Sequence, residues 1–337
     1  MVTIKDVARE AGVAISTVSN VINNVGNVSK GTKQRVLEVV ERLQYVPNMN
    51  ARSLKANKGN TVGLFLASIQ GDYYRMLTQA IHIQCKIAGF MLNIYVSNEN
   101  TSEEIYGMII SSGVEGAIIM NESLGSEYIA RIERTGLPMV FLERECCGEK
   151  ISSIVIDNYT GAEMAMEYLV SLGHRRIGYI HGVDSRDDKE RYRAYLDVME
   201  KYGLCVDSEL LLNGFFEEVI ALSEVRQLLL KKVALPDAFF CANDEMACGC
   251  MRALSSFGVR VPEQVSVIGF DNINLAQYYT PALSTVQNPV TELGDKGALE
   301  LFRLIRREGL PEGVSIRLAP SLVVRESCSR ALQLKKA

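Results

Sequence analysis

Residues 3–23 read Thr3-Ile4-Lys5-Asp6-Val7-Ala8-Arg9-Glu10-Ala11-Gly12-Val13-Ala14-Ile15-Ser16-Thr17-Val18-Ser19-Asn20-Val21-Ile22-Asn23. Thr3 precedes Asp6 by three, a capping-box spacing, and Ile4, Val7, Ala8 and Ala11 recur at i, i+3, i+4 and i+7, so the pattern predicts a short helix over 3–13. Gly12 interrupts it as a tight turn requires. Val18, Val21 and Ile22 then mark one narrow apolar face of a second helix. Ser29, three residues before Thr32, starts a third, whose inner face is Val36, Val39, Val40 and Leu43. Three short helices, the first pair joined by a Gly-containing turn, are the ingredients of a helix-turn-helix motif at about 4–23.

Working outward, charge separates this head from the rest. Residues 1–60 hold nine bases and four acids, so they carry +5. With 36 Lys+Arg and 40 Asp+Glu in all, the remainder carries −9. A basic head on an acidic body is the footprint of a protein that sets its head on a polyanion. The length of 337 residues, 47% of them apolar, implies two or three domains with ample core. No apolar run nears the ~20 residues of a membrane span. The opening residues do not read as a signal peptide, and the eight scattered Cys fit reduced thiols, so a cytoplasmic, nucleoid-associated protein without a membrane partner is expected.

On the second helix Ile15, Ser16, Ser19 and Asn20 lie off the buried stripe. They are candidates to enter a major groove, where Asn pairs with adenine and Ile packs on a thymine methyl; the alternative is an ordinary polar helix face. Ser29, Thr32 and Lys33 are placed to grip phosphate or simply to start a helix, and Thr3 at the first helix start is counted with them. Residues 47–60 look like a linker, yet 49–56 lacks Gly and Pro and can make two helical turns, too short to stand alone in water. Its Leu54, between Arg52 and Lys55, is either an incidental linker residue or an apolar wedge between cations, as opening a minor-groove base step requires.

From Thr61 the pattern becomes strand–helix alternation. Apolar runs at 62–66, 91–96, 117–120 and 139–142 are spaced by helical stretches near 73–88, 102–112 and 126–135. The theme repeats from 154–156 through 177–180, 238–241 and 265–270, which implies two doubly wound parallel-sheet lobes. Ligands of such sheets bind beyond the strand carboxyl ends. The residues there are polar or aromatic: Asp72-Tyr73-Tyr74, Glu143-Arg144, Asn243-Asp244 and Asp271-Asn272. Arg191 reads as opening a helix whose Tyr195 and Met199 recur at i+4 and i+8. Aromatic faces, a cation and carboxylate or amide groups suit a sugar or a nucleobase. Taken singly, Asp244 and Asp271 could equally cap helices, and Tyr73 or Phe216 belong to the core.

Residues 3–8, Ser16-Thr17-Val18-Ser19-Asn20-Val21-Ile22-Asn23 and Tyr45-Val46-Pro47 with Ala51-Arg52-Ser53-Leu54 resemble the DNA-binding head and hinge of the lactose/galactose-repressor (LacI/GalR) family. Gly173-His174-Arg175-Arg176-Ile177-Gly178, Asn243-Asp244-Glu245-Met246-Ala247, Val267-Ile268-Gly269-Phe270-Asp271-Asn272 and Val323-Val324-Arg325-Glu326-Ser327 resemble landmarks of its effector domain, so the resemblance spans essentially the whole chain. It implies an all-α helix-turn-helix head (1–46), a hinge helix and linker (47–60), and a type I periplasmic-binding-protein-like body (61–337). The lobes of that body would be about 61–158 with 290–320 and about 159–289 with 321–330. It also implies that Ile15, Ser16 and Asn20 read bases and that Leu54 is the minor-groove wedge. Arg191, Asn243 and Asp271 would be polar effector contacts, and Tyr73, Tyr74 and Phe216 an aromatic wall. Three departures stand out: Ala14 where the family has a Ser cap, Ala194 for a Gly after the Arg, and Phe215 for an Asp before the aromatic.

Three His are few for acid–base work, no Gly-Lys dipeptide gives a phosphate loop, and Cys241, Cys248 and Cys250 lack a zinc spacing, so neither enzyme activity nor a cofactor is expected. The expected function is a repressor that binds a pseudo-palindromic operator in double-stranded DNA as a homodimer or higher oligomer, under control of a small-molecule effector such as a sugar. Two alternatives stay open: a cytosolic or exported solute-binding protein without a DNA role, and an enzyme working in the cleft.

Overall fold

In a computed structural model, residues 3–22, 28–43, 60–308 and 312–331 are described. Asn23, the whole of 47–59, and with it Arg52, Leu54 and Lys55, lie outside the described residues. The chain divides into two compact units, Met1–Gly59 and Asn60–Ala337.

The first unit is helical: α1 (Ile4–Ala11), α2 (Ile15–Ile22) and α3 (Lys30–Arg42). The Asp6 carboxylate closes the start of α1, accepting from the Thr3 amide at 3.0 Å and the Thr3 hydroxyl at 2.6 Å. Gly12 ends it in the left-handed region (φ 62°), which lets the chain turn into α2. Ala14, with no side-chain oxygen, contributes only its carbonyl to the first amides of α2. Ser29 caps α3, its hydroxyl accepting from the Thr32 amide at 3.3 Å. The core is small and aliphatic: Val7, Ala8, Ala11, Val18, Val21, Val36 and Val39, with Ile4, Ile22, Val40 and Leu43 packed around it.

The second unit holds two six-stranded sheets. In chain order its strands are β1 (Thr61–Leu66), β2 (Met91–Val96), β3 (Gly116–Met120), β4 (Met139–Leu142), β5 (Ile151–Ile156), β6 (Ile177–His181), β7 (Leu211–Asn213), β8 (Ala238–Cys241), β9 (Ser266–Phe270), β10 (Ser284–Gln287), β11 (Ser315–Leu318) and β12 (Ser321–Val323). One sheet runs β11-β5-β4-β3-β1-β2, the other β12-β10-β9-β8-β6-β7. Every pairing is parallel except β10 with β12. The helices are α4 (Gly71–Ala88), α5 (Ser102–Ser111), α6 (Ser126–Glu133), α7 (Asn158–Ser171), α8 (Arg186–Lys201), α9 (Glu218–Leu230), α10 (Asp244–Ser256), α11 (Asn274–Tyr278) and α12 (Val290–Arg306). Separate apolar cores fill the two lobes, as both faces of a parallel sheet demand.

Two readings of the pattern need correction. The run 154–156, taken as opening the second set, is the end of β5 and pairs with β4 and β11 in the first sheet. The second sheet is completed instead by β10 and β12, from near the carboxyl end. Those strands, with β7 and β11, escape the pattern because they are short and partly polar: Ser284 and Thr285 are fully buried in β10 by hydrogen bonds rather than by apolar bulk. The chain therefore crosses between lobes three times, after β5, after β10 and after β11.

Candidate functional site

Between the lobes lies a cleft with a cavity of about 350 Å³. It opens where strand carboxyl ends of both sheets face each other, the position expected for a ligand of doubly wound sheets. Tyr73 and Tyr74 from the start of α4 and Glu143 after β4 line it from the first lobe. Arg191 on α8, Phe216 before α9, Asn243 before α10 and Asp271 after β9 line it from the second. All seven cleft residues singled out from the sequence thus share one cavity. Their neighbours Arg144, Asp244, Asn272 and Phe215 do not line it. Asp244 is fully buried, accepting from the Thr285 hydroxyl at 2.5 Å and the Ile273 amide at 2.9 Å, and Phe215 is half exposed.

Arg191 does not open its helix. Ser185 caps α8, accepting from the Asp188 amide at 3.4 Å, so Arg191 stands in the second turn, and Tyr195 and Met199 run down into the core. Arg191 is 3% exposed, and its guanidinium is held from several sides. Its Nε donates to Asn158 Oδ1 at 2.9 Å, Nη1 to the Ala242 carbonyl, and Nη2 lies 3.9 Å from Asp271 Oδ1. Its Cζ sits 3.8 Å over the ring of Phe270. Burial opposes its charge, but the carboxylates of Asp271, Asp187 and Glu143 outweigh it and raise the pKa. A rigid cation is thereby fixed at the back of the cleft.

The two acids facing it are less settled. Glu143 Oε1 accepts from the Tyr73 hydroxyl at 3.4 Å and Oε2 from the Ile156 amide at 3.3 Å. Burial, and then the charge of Asp187, push its pKa up to about 8. Asp271 Oδ1 accepts from Asn288 Nδ2 at 2.9 Å. Burial raises it to about 6 even though Arg191 pulls the other way. Glu143 (φ 59°), Phe216 (φ 63°) and Asp271 (φ 110°) also hold left-handed backbone, each strained by ~1–3 kcal/mol. Strain gathered on three cleft side chains is what a preorganised site stores.

The aromatic wall is built by close packing. Phe216 lies over Gly182, where an added Cβ would come within 2.1 Å of the Phe216 Cζ, so only glycine admits the ring. Asn243 caps α10, accepting from the Met246 amide at 2.9 Å, and donates to the Phe216 carbonyl at 3.2 Å. Sequence reasoning missed Gly182 and four lining acids: Glu122, Asp184, Asp187 and Glu245. Three carboxylates reach across the cleft to a helix start of the opposite lobe. Glu245 Oε1 accepts from the Asp72 amide at 3.2 Å, Asp72 Oδ2 from the Asn274 amide at 3.2 Å, and Glu122 Oε1 from the Arg186 amide at 3.1 Å.

In the head, Ile15, Ser16 and Asn20 sit together on the exposed face of α2, opposite buried Val18 and Val21, with Ser19 half-buried beside them. Thr3 and Ser29 are exposed at helix starts, their hydroxyls engaged with Asp6 and Thr32. Exposed Lys30, Lys33 and Arg35 surround the start of α3.

Residues 3–48 match a family model described as bacterial regulatory proteins, lacI family, and residues 166–328 match the periplasmic binding protein-like domain. A probable HTH-type transcriptional repressor ExuR from Bacillus subtilis (strain 168) is 34% identical over 311 residues, covering 90% of this chain and 92% of the relative. Among solved structures, the lac repressor dimer bound to operator and the anti-inducer ONPF is 26% identical, with a TM-score of 0.77 over 97% of this chain and 99% of that one. A complex of the transcriptional regulator CelR with cellobiose is 28% identical, with a TM-score of 0.71 over 97% of this chain and 100% of that one.

Proposed function

We propose, because the chain belongs to the lacI family of bacterial regulatory proteins, a division of labour among its parts. Residues 1–46 read the operator, 47–60 form the hinge, and the 61–337 body binds the effector and a second copy of the chain. The protein is a sequence-specific DNA-binding transcriptional regulator with a helical head and a two-lobed α/β body. Its relatives are named repressors, not enzymes. Among the described residues no helix is long and apolar enough to cross a membrane. The protein works in the cytoplasm, on the nucleoid.

Ile15, Ser16, Ser19 and Asn20 enter the major groove, and Thr3, Ser29 and Thr32 meet phosphates. Arg52, Leu54 and Lys55 act at the central minor-groove step. The dimer face is supported by exposed apolar side chains that a lone chain has no use for: Ile83 and Ile87 on α4, with Met91 and Ile94 on the edge strand β2. The effector is a sugar or sugar derivative. It stacks on Tyr73, Tyr74 and Phe216 and is oriented by Glu143, Arg191, Asn243 and Asp271. It acts on DNA only through its differential affinity for two arrangements of the lobes.

The observation that carries this reading is the joining of an aromatic wall, a fixed guanidinium and two buried acids around one interlobe cavity. The test pairs a thermal-shift screen of sugars with an anisotropy titration of promoter DNA. A ligand at about 100 times its Kd stabilises by ~2.7 kcal/mol and should change operator affinity. A chain that binds no promoter fragment sequence-specifically, or a cleft ligand that leaves DNA affinity untouched, overturns it. Ligand turnover abolished by Asp271→Asn would instead favour an enzyme.

A further inference from the structure

The charge in the cleft is one-sided. Six lining side chains are carboxylic acids, namely Glu122, Glu143, Asp184, Asp187, Glu245 and Asp271, against the single cation Arg191. Five of the six already have a partner: Glu122 the Arg186 amide, Asp184 Lys189 Nζ at 2.6 Å, Glu245 the Asp72 amide, Glu143 the Tyr73 hydroxyl and the Ile156 amide, and Asp271 Asn288 Nδ2 with Arg191 Nη2 at 3.9 Å. Arg191 is likewise committed to Asn158, the Ala242 carbonyl and Asp271. Asp187, in the first turn of α8, has no hydrogen bond or ion pair among the described residues. Its charge nevertheless acts on Glu143, Asp271, Tyr73, Tyr74 and Glu122, which come from both lobes. A carboxylate without a hydrogen-bond partner among the described residues therefore lines the cavity alongside Glu143, Asp271, Tyr73 and Tyr74.

Resting on the effector reading above, we infer that the ligand of this cleft carries a positive charge. It is an amine-bearing sugar whose ammonium sits among Asp187, Glu143 and Asp271 while its ring lies against the aromatic wall. A neutral sugar would leave Asp187 with only the shared charge of Arg191 to balance it, and an acidic sugar would add a further negative charge to the excess. Tyr73, Tyr74 and Phe216 suit an ammonium as well as a pyranose face.

Without a ligand the site limits its own repulsion by protonation: buried Glu143 faces Tyr73 from α4, the Ile156 amide from β5, and Asp187 and Arg191 from α8, and holds a proton up to about pH 8. An ammonium replaces that proton, so binding at neutral pH releases one.

The experiment is calorimetric titration of the full-length protein with matched sets of hexosamine, hexose and hexuronic acid in the gluco, galacto and manno configurations, in two buffers of different protonation enthalpy. One hexosamine is expected to bind about tenfold tighter than its neutral parent. Its apparent enthalpy should report proton release, and the matching hexuronic acid should not bind. Asp187→Asn should abolish the preference for the amine over its neutral parent, and Asp187→Glu should restore it; an unchanged melting midpoint confirms that both variants fold. A neutral or acidic sugar binding as tightly as its amine, or no response to any hexosamine, overturns the charge assignment. A neutral sugar that binds as tightly as its amine and shifts operator affinity would overturn it while leaving the effector reading intact. An amine that binds without shifting operator affinity would overturn the effector reading alone.

Discussion

The backbone amide of Arg186, at the first residue of α8, donates to Glu122 Oε1 of the opposite lobe at 3.1 Å. It is one of three contacts in which a carboxylate from one lobe meets a helix start of the other, the remaining two joining Glu245 to Asp72 and Asp72 to Asn274. Helix starts present unsatisfied amides and partial positive charge, so such contacts tie the two lobes together and favour a closed cleft. Replacing Glu122 or Glu245 by Gln removes the charge and keeps the shape. Each change is expected to cost the closed form about 1 kcal/mol, read as ~5-fold faster ligand dissociation by stopped-flow fluorescence. An unchanged off-rate in the double variant would show that the rims contribute nothing to closure.

Stability should respond to pH in a direction set by Glu143. Its pKa is about 8 when folded against an ordinary 4.5. The native state therefore binds more proton than the unfolded chain between those values, and stability must fall as pH rises through that window. Below it both states are protonated and the contribution vanishes. Asp271, at about 6, adds to the fall over the lower part of the range. Glu143→Gln should flatten the decline and stabilise the protein at pH 8, by on the order of a few kcal/mol. Denaturant titrations at pH 5 and pH 8 measure it, and an equally steep decline in the variant would exclude Glu143 as its source.

Much of this architecture was legible from local pattern because local pattern is what forms it. The 3.6-residue spacing of Val18, Val21 and Ile22 and the αL glycine at 12 place the first helices directly. What escaped depends on distant partners. Thr285 is at home in β10 only because Asp244, 41 residues away, accepts its hydroxyl, and β5 joins the first sheet because β11 returns beside it. Arg191 was set at the wrong place in its helix because the Ser185–Asp188 cap went unread. Asp187 carried no signal at all: one more acid in a charged helix start, it matters only through the cleft that α8 happens to face.

Operator reading should depend on one short exposed face. Asn20 projects from α2 beside Ile15 and Ser16, and a carboxamide there can pair bidentately with adenine. Asn20→Ala is expected to lose ~1–3 kcal/mol of discrimination at a single base pair per half-site. Leu54→Ala, in the segment proposed as hinge, should instead weaken binding to the whole operator by a few kcal/mol and leave effector affinity alone. Competition binding against a library of single-base operator variants separates the two. A flat preference profile shared by wild type and Asn20→Ala would remove α2 from base reading.

Gly182 offers the sharpest separation of ligand binding from folding. It follows β6, and a methyl group there would meet the Phe216 ring at 2.1 to 2.5 Å. The ring must then swing away from the cleft, because Phe216 is carried on a left-handed backbone that leaves the main chain little freedom to follow. Phe216 belongs to the rim of the second lobe's core rather than its centre, so the lobe should still fold. Gly182→Ala is expected to weaken effector binding by about tenfold or more, since one aromatic face is worth ~0.5–1.5 kcal/mol and misplacement of the remaining contacts adds to it. Operator affinity in the absence of effector should stay within about twofold, because nothing in the head is touched. If effector affinity survives Gly182→Ala, Phe216 is not part of the ligand's wall.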